Sequence, residues 1–385
     1  MLTNFLTLKP KAFGLDISDL SLKIVSFEKK RGKLKLSSFG EKEIEPGIII
    51  GGLVTKETEL AENIIKAVES VKGEKIKTKY VVVSLPEEKA FFQVIQVPVM
   101  EKEDLKSAII YEAENYIPMP VEKVYLDFQV IPSKKKSKYL NVLISAIPKN
   151  IVDSYLISLK LAGLKPIALE VESLAIARSL IKDESTIEPT LIIDLGATRT
   201  SFIIFSNHSL RFTSSIGVSS VDFTKIIAKS LEIGVIEAER LKIKYGLEKG
   251  VKLNNKSSTS VKVKKETKAG KERNEIFEAL IPALVDLTQQ IKKHLRYYQG
   301  HTSKNQAGFE EKGVSKILLC GGGSSLKGLP ELLSQELKIP VELGNPWTNI
   351  SLKEKRSKAN LSLENPLRYT TAIGLGIRGT MENNS

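Results

Sequence analysis

Residues 189–216 read PTLIIDLGATRTSFIIFSNHSLRFTSSI: an apolar run that enters an acid, a glycine-containing turn, a second apolar run, a turn at Asn207–His208, and a third run. Short apolar runs bounded by turn residues predict strands, here three in succession with Asp194 at the end of the first. The opening of the chain has the same order. AFGLDI (12–17) enters Asp16, SLKIVSFEK follows a polar turn, and KLKLSSF follows the turn at Lys30–Gly32. Alone, Asp16 reads as the tip of an ordinary hairpin. Its echo at Asp194 makes the two acids equivalent members of an internal repeat, which predicts two domains of like α/β fold.

The chain has 385 residues, and single cores stop growing near ~250–300 residues, so a bilobed molecule is expected. The composition, 42% hydrophobic and 27% charged with a mean hydropathy of −0.08, places it among globular proteins and excludes the disordered class. No apolar run approaches the ~20 residues that span a bilayer. The first residues, MLTNFLTLKPK, put their lysines after a short apolar stretch, the reverse of a secretory signal. The single cysteine, Cys320, excludes an intrachain disulfide framework. Together these predict a cytoplasmic chain. His208, His294 and His301 are not at zinc-ligand spacings.

The formal net charge of +13 suits an anionic partner. Part of the excess lies in 248–275, EKGVKLNNKSSTSVKVKKETKAGKERNE, with eight lysines and one arginine against four glutamates. That composition reads as a solvated insertion or as a functional basic arm. No aromatic residue interleaves with the lysines, which argues against single-strand binding and predicts no nucleic-acid partner.

Between the repeats, TKETELAENIIKAVESVKG carries Leu60, Ile64, Ala67, Val68 and Val71 on one helical face, with Gly73 as its stop. KYVVVSLP then reads as a buried strand. Residues 85–160 predict a small α+β unit: strand AFFQVIQV, helix EKEDLKSAIIYEAENYI closed by Pro118, strands EKVYLDFQVI and KYLNVLISAI, and a helix from Pro148 to Gly163. Beyond 216 come helices, among them one with Ile276, Leu280, Leu284, Leu287, Ile291 and Leu295 on a single stripe.

Chemistry is suggested by three motifs in order. LLCGGGSSLKGLPELL places Gly321, Gly322 and Gly323 between a strand and a helix, where backbone N–H groups can approach an anion. It has neither the Rossmann nor the P-loop spacing. Phosphates in a cleft bring magnesium, which keeps several waters and needs only one or two carboxylates. Asp16 and Asp194 can supply them from opposite lobes, Ser18, Ser21, Thr198 and Thr200 can donate hydrogen bonds, and Lys23 can add a point charge.

GLDISDLSLK, LIIDLGATRTSF and LLCGGGSSLKGL, with TAIGLG at the end, resemble in order the two phosphate motifs, the adenosine motif and the connecting motif of the actin-like ATPase superfamily. The resemblance covers nearly the whole chain and implies a two-domain, ribonuclease H-like α/β fold that binds ATP and magnesium. EAERLKIKYG resembles the helix that places a glutamate and a lysine near the nucleoside, which maps to Glu239 and Lys242. By the same resemblance the nucleotide residues are Asp16, Ser18, Ser21, Lys23, Gly196, Thr198, Glu239, Lys242, Gly321, Gly322, Gly323, Ser324 and Lys327, with Asp16 and Asp194 meeting magnesium through water.

Within the superfamily, YEAENYIPMPVEKVYLDFQVI, LKLAGLKPIALEVESLAIAR, LTQQIKKHLRYYQ and ENPLRYTTAIGLGIRG resemble the PilM family of type IV pilus assembly proteins, which shares a subdomain called 1C with FtsA. The resemblance implies subdomain 1A from 1–84, 161–190 and 366–385, 1C at 85–160, 2A from 191–215 and 300–365, and 2B at 216–299. It further implies a cytoplasmic scaffold, peripheral on the inner membrane, that captures the N-terminal cytoplasmic tail of PilN. PilO is reached indirectly, and contact with the pilus assembly ATPases is the further partner implied. The tail groove maps to Ile110, Tyr111, Tyr116, Ile117, Pro118 and Met119. From the residues alone, the tyrosines and Pro118 serve equally to close a helix onto its sheet. The alternative role is FtsA-like anchoring of a cytoskeletal polymer.

The chain departs from the superfamily at Ser18, where glycine is usual; a serine side chain crowds a turn whose backbone must approach a phosphate, above all where φ is positive. ALEVESLAIARSL resembles the segment in which relatives position the attacking water, which makes Glu172 the catalytic candidate beside Asp194, with Glu170 behind it. The other reading of these acids is that they cap a helix start. Any ATPase activity implied is slow.

Overall fold

The computed structural model describes residues 11–30, 33–132, 138–184, 186, 188–247, 268–305, 313–350 and 363–381. Most of the lysine-rich stretch, 248–267, lies outside the described residues. The chain divides into two compact units, one of residues 1–192, 203–215 and 344–385, the other of 193–202 and 216–343.

In chain order the first unit holds β1 (Phe13–Ile17), β2 (Ser21–Lys30), β3 (Lys33–Glu43), β4 (Ile49–Ile50), β5 (Leu53–Val54), α1 (Glu57–Glu69), β6 (Lys72–Gly73), β7 (Tyr80–Leu85), β8 (Phe91–Pro98), α2 (Lys102–Ala113), β9 (Val124–Val130), β10 (Tyr139–Pro148), α3 (Lys149–Leu161), β11 (Lys165–Val171) and α4 (Glu172–Leu180). Then come β12 (Thr190–Leu195), β13 (Thr200–Ser206), β14 (Ser209–Ile216), α5 (Ser220–Leu231), α6 (Val235–Tyr245), α7 (Lys268–Asn305), β15 (Lys316–Cys320), α8 (Leu329–Leu337), β16 (Val341–Leu343) and α9 (Thr370–Arg378).

The first sheet has the order β11-β7-β1-β2-β3-β6. β1, β7 and β11 are parallel, and β2 and β3 return antiparallel. Parallel strands covered on both faces need continuous apolar runs, and YVVVSL supplies one: every residue of β7 after Tyr80 is buried. One face packs against α1 and α3 through Leu15, Leu22, Leu60, Ile64, Ile151, Tyr155 and Leu159. Val25, Phe27, Ile373 and Ile377 build a second core with α9, and Val82, Ala175 and Leu375 a third.

A three-stranded sheet of order β8-β10-β9 carries α2 and its own core of Ile95, Ile109, Ala113, Ile117, Val142 and Ile144. The helix α3 that follows gives Ile151, Val152, Tyr155 and Leu159 to the first sheet's core instead. α2 ends at Ala113, one turn before the expected stop at Pro118. Tyr116 and Ile117 still donate their N–H groups to the Ala113 carbonyl, so the chain unwinds through a tight turn instead of a last helical turn.

The remaining large sheet has the order β14-β13-β12-β15-β16. In the second unit α7 begins at Lys268, so the last eight residues of the lysine-rich stretch are helical. Its stripe of Ile276, Leu280, Leu284, Leu287, Ile291 and Leu295 is buried, as core. No helix among the described residues is long and apolar enough to cross a membrane.

Candidate functional site

In the first unit, Asp16 sits near the end of β1, buried, directly opposite Lys23 on β2. Ser84 of β7 fixes it: the serine hydroxyl donates to Asp16 Oδ1 at 3.0 Å and accepts from the Ile17 N–H at 2.9 Å. The turn after Asp16 closes on itself. Ser18 donates its N–H and its hydroxyl to the Ser21 carbonyl at 3.0 and 2.9 Å, and Lys23 Nζ donates to Ser21 Oγ at 2.7 Å. Ser18 is not among the residues of positive φ. The serine therefore replaces glycine without left-handed strain, its side chain folded onto its own turn.

Acids gather beside this hairpin. Asp19 Oδ1 accepts from the Gly52 N–H at 3.0 Å, and Tyr155 donates its hydroxyl to the Gly52 carbonyl at 3.1 Å. Burial pushes the Tyr155 hydroxyl well above its ordinary pKa, and the carboxylates of Glu172, Asp19 and Asp16 push it further. Glu172 and Asp16 thus act on the same buried group. Glu172 stands in the first turn of α4, and the buried Glu87 accepts the Ser173 N–H there at 3.1 Å, as a carboxylate at a helix N-terminus should. Glu170 is a structural acid, because Arg178 and Arg378 each bond one of its carboxylate oxygens, tying α4 and α9 to β11.

In the second unit, Asp194 lies near the end of β12, and the following turn is fastened to the start of α5. Gly196 N–H donates to the Arg199 carbonyl at 2.9 Å, while the Gly196 and Ala197 carbonyls accept the N–H groups of Ser220 and Val221 at 3.0 and 3.2 Å. Thr198 occupies the half-buried apex of the turn. The Thr200 hydroxyl instead donates to the Val218 carbonyl at 2.6 Å, a structural bond.

The glycine turn lies against Asp194. Gly321 has φ +82°, and a Cβ there would sit 2.2 Å from Asp194 Oδ1; a Cβ on Gly323 would sit 2.6 Å from Leu195 Cγ. Gly322 between them is exposed, so the turn presents bare backbone. Ser324, buried, donates its hydroxyl to the Gly321 carbonyl at 2.7 Å. The Cys320 thiol is raised well above its ordinary pKa by burial first and by Asp194 next.

Glu239 and Lys242 form one cluster with α5. Lys242 Nζ reaches the Ser220 carbonyl and hydroxyl at 2.9 Å, Thr224 Oγ1 at 2.7 Å and Glu239 Oε2 at 2.7 Å, and Thr224 also donates to Glu239. Burial lowers the Lys242 pKa and the Glu239 carboxylate opposes this. With its donors engaged, Lys242 positions Glu239 and the start of α5. Lys327 Nζ donates to the Lys244 carbonyl at 2.7 Å, which places it at the C-terminal end of α6, the favourable end for a cation.

The residues present fit a magnesium nucleotide. Bare backbone at Gly322 suits a close-approaching phosphate or adenosine, and the acids suit a metal that retains water. Among the described residues no group of three or more His, Cys, Asp or Glu converges as an all-protein metal cage. Asp194, Gly196, Thr198 and Gly321–Ser324 are within the second unit, and Asp16, Ser18, Ser21, Lys23 and Glu172 within the first.

On α2 and the turn after it, Tyr111 is 74% exposed, Tyr116 44% and Met119 38%. Pro118 is exposed and Ile110 half-buried. Ile117 differs: it is 7% exposed and belongs to the core of the small sheet, so its side chain serves the fold.

Sequence reading missed Ser84, Glu87, Ser220 and Thr224. Ser84 carried a signal, a polar residue in an otherwise apolar buried strand. The others act across 15 to 86 residues of sequence. Replacing Ser84 by alanine strands the Ile17 N–H in the core and is expected to cost about 1–3 kcal/mol in denaturant unfolding.

Several known proteins are similar to this chain. The family model for type IV pilus assembly protein PilM matches residues 14–255, and that for cell division protein FtsA matches 191–374. A solved PilM-PilN type IV pilus biogenesis complex superposes with TM-score 0.76 and 26% identity, covering 97% of this chain and 100% of that one. The ethanolamine utilization protein EutJ from Carboxydothermus hydrogenoformans shares the fold, with TM-score 0.53 and 13% identity over 96% of this chain and 90% of its own. FtsA of Pseudomonas aeruginosa is 26% identical over 219 residues, 56% of this chain. The match spans 48% of that relative, so this chain corresponds to about half its length. FtsA of Streptococcus pneumoniae is 24% identical over 394 residues, 96% of this chain and 82% of the relative. With the PilM model matching well over half of its length, the chain belongs to the type IV pilus assembly protein PilM family.

Proposed function

We propose that this protein is an actin-like, ATP-binding scaffold of the type IV pilus inner-membrane platform, and that it captures the N-terminal cytoplasmic tail of PilN. The observation that carries this reading is the likeness to the PilM-PilN complex over 97% of this chain and 100% of that one. The exposed Tyr111, Tyr116, Pro118 and Met119 support a tail-binding surface, since exposed apolar side chains suit an apolar peptide.

Magnesium-ATP is assigned to the two acid turns and the glycine turn. Asp194 would hold the metal through water in the second unit and Asp16 is its counterpart in the first; Gly321–Ser324 and the Gly196–Thr198 turn would approach the nucleotide, and Glu239 would take the ribose. Magnesium supplies charge neutralisation at the phosphates. Glu172 is the residue proposed to orient a water, and the engaged state of Ser18 and Lys23 suits a site that holds ATP and turns it over slowly. PilO is reached through PilN, and localisation follows as peripheral on the inner membrane.

The FtsA model over 191–374 favours a second reading, anchoring of a cytoskeletal polymer. Immobilised PilN tail and FtsZ tail separate the two. Retention on PilN alone is expected, and retention on FtsZ alone would replace the pilus reading.

A further inference from the structure

The net charge of +13 is not absorbed by the nucleotide residues, and part of it converges at one end of the first sheet. β1, β7 and β11 run parallel and start at Phe13, Tyr80 and Lys165, with Phe13 opposite Val81 and Lys165 opposite Tyr80. Their ends toward Asp16, Ser84 and Glu170 carry the acids described above. Their starting ends carry lysines. β2 runs the other way, so it leaves the sheet at this same end through Lys30, paired with Lys33 of β3.

Hydrogen bonds to backbone carbonyls knit the lysine-bearing segments together. Lys165 N–H donates to the Lys79 carbonyl at 2.7 Å, and Thr78 Oγ1 donates to the Lys11 carbonyl at 2.8 Å. Lys11, Lys30, Lys33, Lys77, Lys79 and Lys165 are all exposed. The acid in these strand ends, Glu28, is paired with Lys35 at 3.6 Å. Two apolar side chains stand at the same end. Leu161, 55% exposed, closes α3 four residues before Lys165; Met381, 50% exposed, follows Gly379, whose carbonyl accepts the Ala12 N–H.

We propose that this end of the six-stranded sheet is a membrane-contact face that takes the anionic phospholipid headgroups of a bilayer. Lysine ammonium groups are mobile point charges that suit a fluid layer of phosphates. Leu161 and Met381 can enter the headgroup layer, which a nucleic acid would not reward. The inference is separate from tail capture and does not rest on it. A scaffold with this face is oriented by the lipid surface, with the Asp16 end of the sheet turned away from it.

The test is sedimentation of the full chain with phosphatidylcholine vesicles and with vesicles that also contain phosphatidylglycerol. The wild type is expected to bind only the anionic vesicles, and less as salt rises. Each basic residue near such a surface is worth a factor of about five, so K11Q/K79Q/K165Q is expected to weaken binding about a hundredfold. A melting curve of the same variant checks its fold, and K30Q/K33Q/K77Q provides an independent set at the same end. Deletion of 248–267 is expected to leave most binding in place. Wild-type-like binding by both triple variants, or loss on the deletion alone, overturns the proposal. Tighter binding to a DNA duplex than to anionic vesicles, lost in the same variants, overturns it in favour of nucleic acid.

Discussion

Gly374→Val is expected to destabilise the protein by more than ~3 kcal/mol and to lower its melting temperature by roughly ten degrees. A Cβ at Gly374 would lie 1.9 Å from the Ala175 carbonyl oxygen and 2.5 Å from its carbon, both backbone atoms of α4. Nothing there can rotate away, so α4 and α9 must separate. They are also held on the other side, because a Cβ at Gly14 would lie 2.4 Å from the Gly376 nitrogen. α9 is therefore wedged between β1 and α4, and the apolar contacts of Ala175, Ile373 and Leu375 depend on that distance. Gly217→Ala is the control: no atom lies within 4 Å of its would-be Cβ, and its melting curve should match the wild type within a degree or two. Equal curves for Gly374→Val and wild type would contradict the packing described.

The second large effect concerns the nucleotide. Magnesium-ATP at about a hundred times its dissociation constant should stabilise the wild type by ~2.7 kcal/mol, and Asp194→Ala should abolish that gain. Asp194 is in contact distance of the Gly321 backbone and acts on the Cys320 thiol, so its removal also loosens the glycine turn. Comparing melting curves of the same variant with and without magnesium-ATP separates ligand binding from that structural cost. An unchanged shift in Asp194→Ala would sink the assignment.

The strand-acid-turn-strand repeat was legible because its signals are local: apolar runs, an acid and a turn within ten residues. β1 to β3 and β12 to β14 lie where the pattern predicts. The long stripe from Ile276 to Leu295 was legible for the same reason, since helical period and burial agree. Other features escaped because they depend on distant partners. Ser84 meets Asp16 across 68 residues, and Glu87 caps α4 across 86. Glu170 reads like Glu172 in sequence, yet two arginines on α4 and α9 make it structural. The early end of α2 escaped too: Pro118 marks where helix cannot continue, while the turn at Ala113–Ile117 is set by burying Ile117 in the small core. Ser18 shows the limit from the other side. Its departure from glycine suggested strain, yet Ser18 is not among the residues of positive φ, and its side chain bonds to Ser21 within the same turn.

The most direct test of the scaffold reading is calorimetric titration of the PilN tail peptide into this protein, with Tyr111→Ala/Tyr116→Ala as the comparison. Both tyrosines are exposed, so the variant should fold normally. The account predicts saturable one-to-one binding that weakens about tenfold or more in the variant, as loss of exposed aromatic anchors does. No heat with the wild type, or equal affinity in the variant, would contradict it.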